Sequence, residues 1–136
     1  MKKFLVALNM IPQIGYKRLK SLITHFGGIY ENIFKIPPKT LSEIAGLKKP
    51  IDYNPAEIME KAEKEILFCI NNKIDIITIN DKNYPPLLLE TDSPPIVLYC
   101  KGDFDCLNRN CVSVVGTRNP TAKGKQNSFE ISALLS

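Results

Sequence analysis

Apolar residues recur along this chain with two different periods, and the change of period divides it. Leu19, Leu22, Ile23 and Phe26 repeat at helical spacing, so residues 16–26 are predicted as a helix with one buried face, stopped by Gly27-Gly28. Ahead of it residues 2–9 read as a short helix. Behind it residues 29–34 read as another, and Leu41-Ser42-Glu43-Ile44-Ala45-Gly46-Leu47 resembles a second, degenerate hairpin. Asn54-Pro55 then opens the longest helical pattern, residues 56–72, with Asn54 as cap and Pro55 in the first turn. Its apolar stripe is Ile58, Met59, Ala62, Ile66, Leu67 and Ile70, and its wet face is Glu57, Glu60, Lys61, Glu63, Lys64 and Glu65. Past residue 73 the pattern shortens to β-branched runs at 74–79, 96–100 and 112–115, predicted as three strands, and a final helical pattern runs through residues 125–135.

Helices first, then strands broken by a helix, make an α/β arrangement with a parallel sheet. Lys48-Lys49-Pro50 to Asn54-Pro55 is the linker by composition, so the expected domains are 1–54 and 55–136. A parallel crossover needs a strand after its helix, and none follows residue 135. The expectation is therefore an incomplete sheet, belonging to a longer protein or capped by another element.

The candidate chemistry sits where the third strand meets the last helix. Val114-Val115-Gly116-Thr117-Arg118-Asn119-Pro120-Thr121 ends a strand on a glycine, passes through a polar loop and enters a helix. A glycine there lets backbone approach a ligand closely. Thr121 or Asn119 can cap the helix, whose first amide groups and positive dipole end then favour an anion, and Arg118 brings a planar fork of donors suited to phosphate. Neither the G-x-G-x-x-G nor the G-x-x-x-x-G-K-[ST] spacing occurs, since the glycine after Gly116 is Gly124. An ordinary strand-to-helix connection with an exposed arginine is the competing reading.

Charge adds a second candidate. The 136 residues carry a net +4, but residues 1–54 hold nine Lys/Arg against three Asp/Glu, residues 55–111 six against ten, and residues 112–136 three against one. Two basic ends around an acidic middle suit a polyanionic partner. At the N-terminal end, Ile14-Gly15 feeds a helix whose first turns carry Lys17, Arg18 and Lys20, the way a helix-hairpin-helix module holds nucleic-acid phosphate on backbone amides. Gly15, Lys17 and Arg18 are thus a secondary DNA contact, in competition with a plain partner-binding helical domain. Gln13 stands where such hairpins usually carry glycine. His25, near a helix end, reads as a surface or capping residue, and Phe129, spaced with Ala133, reads as core.

The opening Met-Lys-Lys-Phe-Leu-Val-Ala-Leu is too short to export or anchor the chain, so no membrane partner is expected. Cys69, Cys100, Cys106 and Cys111 form no C-x-x-C pair and read as reduced thiols of a cytoplasmic protein, with no metal site and no cofactor.

Several runs in order, Tyr84-Pro85-Pro86-Leu87-Leu88, Ser93-Pro94-Pro95-Ile96-Val97-Leu98-Tyr99, Lys101-Gly102, and Val114-Val115-Gly116-Thr117-Arg118 with Gly124, resemble the DNA-processing protein A (DprA/Smf) family. Residues 11–47 look like the helix-hairpin-helix or SAM-like domain that precedes the Rossmann-like domain there. The resemblance implies a small N-terminal helical domain followed by the first, incomplete part of a Rossmann-like parallel sheet, covering only the first part of the family's length. It further implies a non-enzymatic single-stranded DNA-binding protein of natural transformation that protects incoming strands and helps load the RecA recombinase, commonly as a homodimer. The family's glycine-serine-arginine loop maps onto Gly116, Thr117 and Arg118, with Thr121 and Gly124 completing the phosphate-binding set. The alternative is a nucleotide-processing enzyme of the Rossmann-like phosphoribohydrolase type, for which Asp103 and Asp105 on a connecting loop supply no convincing acidic pair.

Overall fold

The apolar run at residues 5–8 decides the architecture. In the computed structural model, which describes residues 1–135 with the Asn108 side chain left aside, Leu5, Val6, Ala7 and Leu8 are all fully buried. Four consecutive buried positions sweep right round helix α1 (Lys2–Met10), so it must be covered on every side. The cover comes from α3 (Tyr30–Ile33), α5 (Pro55–Asn71) and strand β2 (Val97–Cys100). What reads as a short leading helix is the centre of the core.

Around it the chain turns tightly. α2 (Tyr16–His25) and α4 (Pro38–Ile44) pack on each other, burying Leu19 and Leu22 from one and Leu41 and Ser42 from the other. Both end in the same closure. Gly27 and Gly46 take φ of +59° and +68°, and the next amides, of Gly28 and Leu47, reach back to the Ile23 and Ser42 carbonyls at 2.9 Å each. The segment read as a linker is anchored. The buried Ser42 hydroxyl donates to the Pro38 carbonyl at 2.7 Å and accepts from the Ile51 amide at 3.0 Å, and Ile51 is itself in the core. One apolar cluster therefore runs across residue 54, from Leu5 to Ile58, Ala62 and Val97.

α5 begins as its sequence predicts. Asn54 Oδ1 accepts from the Ala56 amide at 2.9 Å and the Glu57 amide at 3.4 Å, with Pro55 in the first turn. Its buried face differs from the predicted stripe. Ile58, Ala62 and Cys69 are buried, whereas Leu67 and Ile70 are exposed. The reason is register: at 3.6 residues per turn Leu67 lies about 140° round the helix from Ala62. α5 closes on Lys73 at φ +54°, with the Ile74 amide on the Cys69 carbonyl at 2.9 Å.

The sheet departs from expectation. β1 (Asp75–Thr78) and β2 pair antiparallel, Asp75 opposite Cys100 and Thr78 opposite Val97. The expected parallel pairing is not seen among the described residues. A parallel return needs a helix long enough to carry the chain back along the strand, and the connection holds only α6 (Pro86–Leu89), one turn long, among Pro85, Pro94 and Pro95. After β1, Asp81 accepts from the Thr78 amide at 2.8 Å and hydroxyl at 3.0 Å, and Lys2 Nζ stands 3.3 Å away.

The residues form two compact units, Met1–Phe104 and Asp105–Ser136. A 3-10 turn, Phe104–Asn108, lies at the junction in sequence. In the second unit residues 112–115, predicted as a third strand, have no regular secondary structure, and Val115 is 89% exposed. A strand needs a ladder partner, and the described part of this unit contains none. The unit's helix, α7 (Ala122–Leu135), buries none of its residues. Ser136, the last residue of the predicted second domain, lies outside the described residues.

Candidate nucleic-acid interface

α7 starts at a capped turn. The Thr121 hydroxyl accepts from the Gly124 amide at 3.1 Å, and the Thr121 carbonyl accepts from Lys125 at 3.0 Å. Of the two predicted caps, Thr121 is the one in use. This bond engages one first-turn donor and fixes the direction from which the chain enters the helix. A Cβ added at Gly124 would meet the Thr121 hydroxyl oxygen at 3.4 Å and Pro120 at 3.7 Å, ordinary van der Waals contact. Upstream, the Thr117 hydroxyl accepts from the Asn119 amide at 3.4 Å, a local turn that folds the loop.

Between the 114–117 run and the first turns of α7 lies an open groove of about 670 Å³. Gly116, Thr117 and Gly124 line it, so three of the five predicted loop residues come together there, with Thr121 holding the helix end beside them. Arg118 does not line the groove. It is exposed and makes no hydrogen bond or ion pair among the described residues. A guanidinium so placed is open to an incoming anion.

The N-terminal candidate is arranged differently. Gly15 caps α2 in extended backbone with no side-chain bond to the helix, leaving first-turn amides open. Gln13 takes φ +66°, the left-handed conformation that glycine adopts without strain, which gives the physical reason a glycine usually stands there. Arg18 is occupied: its Nη1 donates to the Gln13 carbonyl at 2.7 Å and clamps the turn. Lys17 remains exposed, and with Lys20 it borders a separate groove along α2.

Comparison with known proteins places these features. A family model described as DNA recombination-mediator protein A matches residues 75–136, the segment holding the Gly116 loop. The chain is 32% identical to Protein Smf of Synechocystis sp. (strain ATCC 27184 / PCC 6803 / Kazusa) over 143 aligned positions, covering 96% of this chain and 34% of Smf. It belongs to the DprA/Smf family. A second relative, DNA processing protein DprA of Bacillus subtilis (strain 168), is 48% identical over 54 residues, which is 39% of this chain and 18% of that protein. The chain thus spans about a third of the length of Smf and under a fifth of the length of the Bacillus subtilis protein. No solved structure matches it.

Two residues on the groove escape the family's loop motif. Lys125 and Phe129 both line it, and Phe129, read from sequence as core, is 71% exposed. The signal was present as spacing: Lys125, Ser128, Phe129 and Ser132 recur at threes and fours, the stripe of α7 that borders the groove. Reading Phe129 as core assumed a neighbouring layer that the described part of this unit does not supply. Among the described residues no group of three or more His, Cys, Asp or Glu could hold a metal ion, and no helix is long and apolar enough to cross a membrane.

Proposed function

We propose that this chain carries the phosphate-contacting loop of a single-stranded DNA-binding protein of natural transformation and recombination, one that protects incoming strands and helps load the RecA recombinase. The observation that carries the reading is Arg118: an exposed guanidinium, without a partner among the described residues, in a loop folded by Thr117 and capped by Thr121, inside the segment that matches the recombination-mediator family. Gly116 and Gly124 keep the backbone accessible beside it, Lys125 adds charge, and Phe129 offers a ring on which a base can stack. Contacts of this kind read phosphate and stack bases with little sequence preference. On this reading residues 1–54 are a helix-hairpin-helix/SAM-like module and residues 55–136 the opening of a Rossmann-like domain. The full-length protein acts in the cytoplasm as a homodimer and is not an enzyme. The name of one relative, DNA processing protein DprA, and the description of the matching family, DNA recombination-mediator protein A, support the DNA partner.

The test is fluorescence anisotropy of a labelled oligothymidylate titrated with the chain and with Arg118→Ala at several salt concentrations. A lost charge-assisted bond of about 1.5–3 kcal/mol weakens binding roughly 10- to 100-fold. It also makes the salt dependence shallower by about 0.7 in log–log slope for one phosphate on a single strand. Binding indifferent to Arg118 refutes the loop as the site.

A further inference from the structure

The groove along α2 is a feature that the loop reading leaves unused. About 770 Å³ in volume, it is bordered on α2 by Tyr16, Lys17, Lys20, Ser21, Thr24 and His25, with Ile44 and Asp92 completing the lining. The pattern divides α2 cleanly. Leu19 and Leu22 face the core, while Lys17, Lys20, Ser21 and Thr24 recur at threes and fours on the exposed side. Neither lysine forms an ion pair among the described residues, although other surface lysines do: Lys3 with Glu63, Lys35 with Glu31 and Lys64 with Glu60. Cations left unpaired along one stripe, with the Ser21 and Thr24 hydroxyls following them and a half-buried tyrosine ring at the start of the helix, make a track for a negatively charged strand. Lys17 to Thr24 is seven residues, about 10 Å along the axis at 1.5 Å per residue. The one carboxylate on the groove is Asp92, which opposes an anion there.

We propose that the α2 groove is a second contact for single-stranded DNA, with Lys17 and Lys20 each holding a phosphate and Tyr16 stacking a base. Arg18 has no part in it, because it serves the turn at Gln13. The proposal rests on DNA being the ligand of this chain but not on the Gly116 loop being its site.

Four proteins separate the two ideas in one anisotropy series on a labelled oligothymidylate: the chain itself, Lys17→Ala/Lys20→Ala, Asp92→Asn and Arg118→Ala. Removing two phosphate contacts is expected to lower the log–log salt slope by about 1.4. Asp92→Asn is expected to tighten binding a few-fold at low salt, an effect that only a strand lying in this groove would feel. All the substituted positions are exposed, so circular dichroism and melting should match the parent. If the lysine pair leaves slope and affinity unchanged while Arg118→Ala weakens binding, the groove is refuted and the loop stands. The reverse pattern supports the groove and refutes the loop. No binding by the parent chain refutes both. Displacement by millimolar inorganic phosphate as effective as by unlabelled strand reduces the groove to a simple anion site and overturns the proposal.

Discussion

Gln13 sits at φ +66° with its carbonyl held by Arg18, so it keeps a conformation that a side chain disfavours. A Cβ in the left-handed region costs about 1–2 kcal/mol. Replacing it by glycine removes that cost but adds about 0.5–1 kcal/mol of unfolded-state entropy to be lost on folding. Gln13→Gly should therefore stabilise the Met1–Phe104 unit by roughly 0.5–1 kcal/mol, and at about 4 °C per kcal/mol for a domain near 100 residues its melting point should rise about 2–4 °C. The Arg18 clamp uses the backbone carbonyl and survives the change. Gln13→Ala keeps the Cβ and should bring no gain. Gly27→Ala is the converse: nothing lies within 4 Å of an added Cβ there, so its cost comes from φ +59° alone, about 1 kcal/mol. Thermal melts followed by circular dichroism on the three variants decide the matter. If Gln13→Gly lowers the melting point, or Gln13→Ala raises it as much as glycine does, strain at this turn is not what limits it.

Acid should weaken the tie between α1 and β1. Burial pushes the Asp81 carboxyl up, but the Thr78 amide and hydroxyl and the Lys2 ammonium outweigh it and hold the group below its usual value. A depressed folded pKa gives stability that is complete above the unfolded value of about 3.9 and is lost as pH falls through the folded one. Asp81→Asn should thus cost about 1 kcal/mol at pH 7 in urea denaturation, and the gap to the parent should shrink below pH ~4; a gap constant with pH contradicts the assignment. Leu5→Ala, in the fully enclosed turn of α1, should cost about 2–5 kcal/mol, whereas Leu87→Ala, at a position 67% exposed, should stay within about 0.5 kcal/mol.

Local chemistry was legible in the sequence wherever one residue type does one job. Asn54-Pro55 announces α5, Gly27-Gly28 ends α2, and Thr121 caps α7, because caps and left-handed stops depend on the residue itself. Partnership was less visible. Most of the 74–79 and 96–100 runs is strand, yet the direction of their pairing is set by the proline-rich connection and not by the strands. The α5 stripe was drawn by counting apolar types, which admitted Leu67 and Ile70 and passed over Cys69, a small residue directly in line with Ile58 and Ala62. In the candidate site the Gly116 loop was readable from its motif, while Phe129 was not, since exposure depends on what lies opposite. The role of Arg18 was hidden for the same reason: its partner is a carbonyl, and carbonyls carry no letter in a sequence.

α1 also sets a timetable. It leaves the ribosome well before its cover is complete, because that cover includes β2, whose last residue, Cys100, is made ninety positions after Met10. At about 5–20 residues per second this interval is roughly 5–20 s. For that time Leu5, Val6 and Leu8 have no finished pocket to enter, and the nascent chain presents them to whatever waits at the exit tunnel.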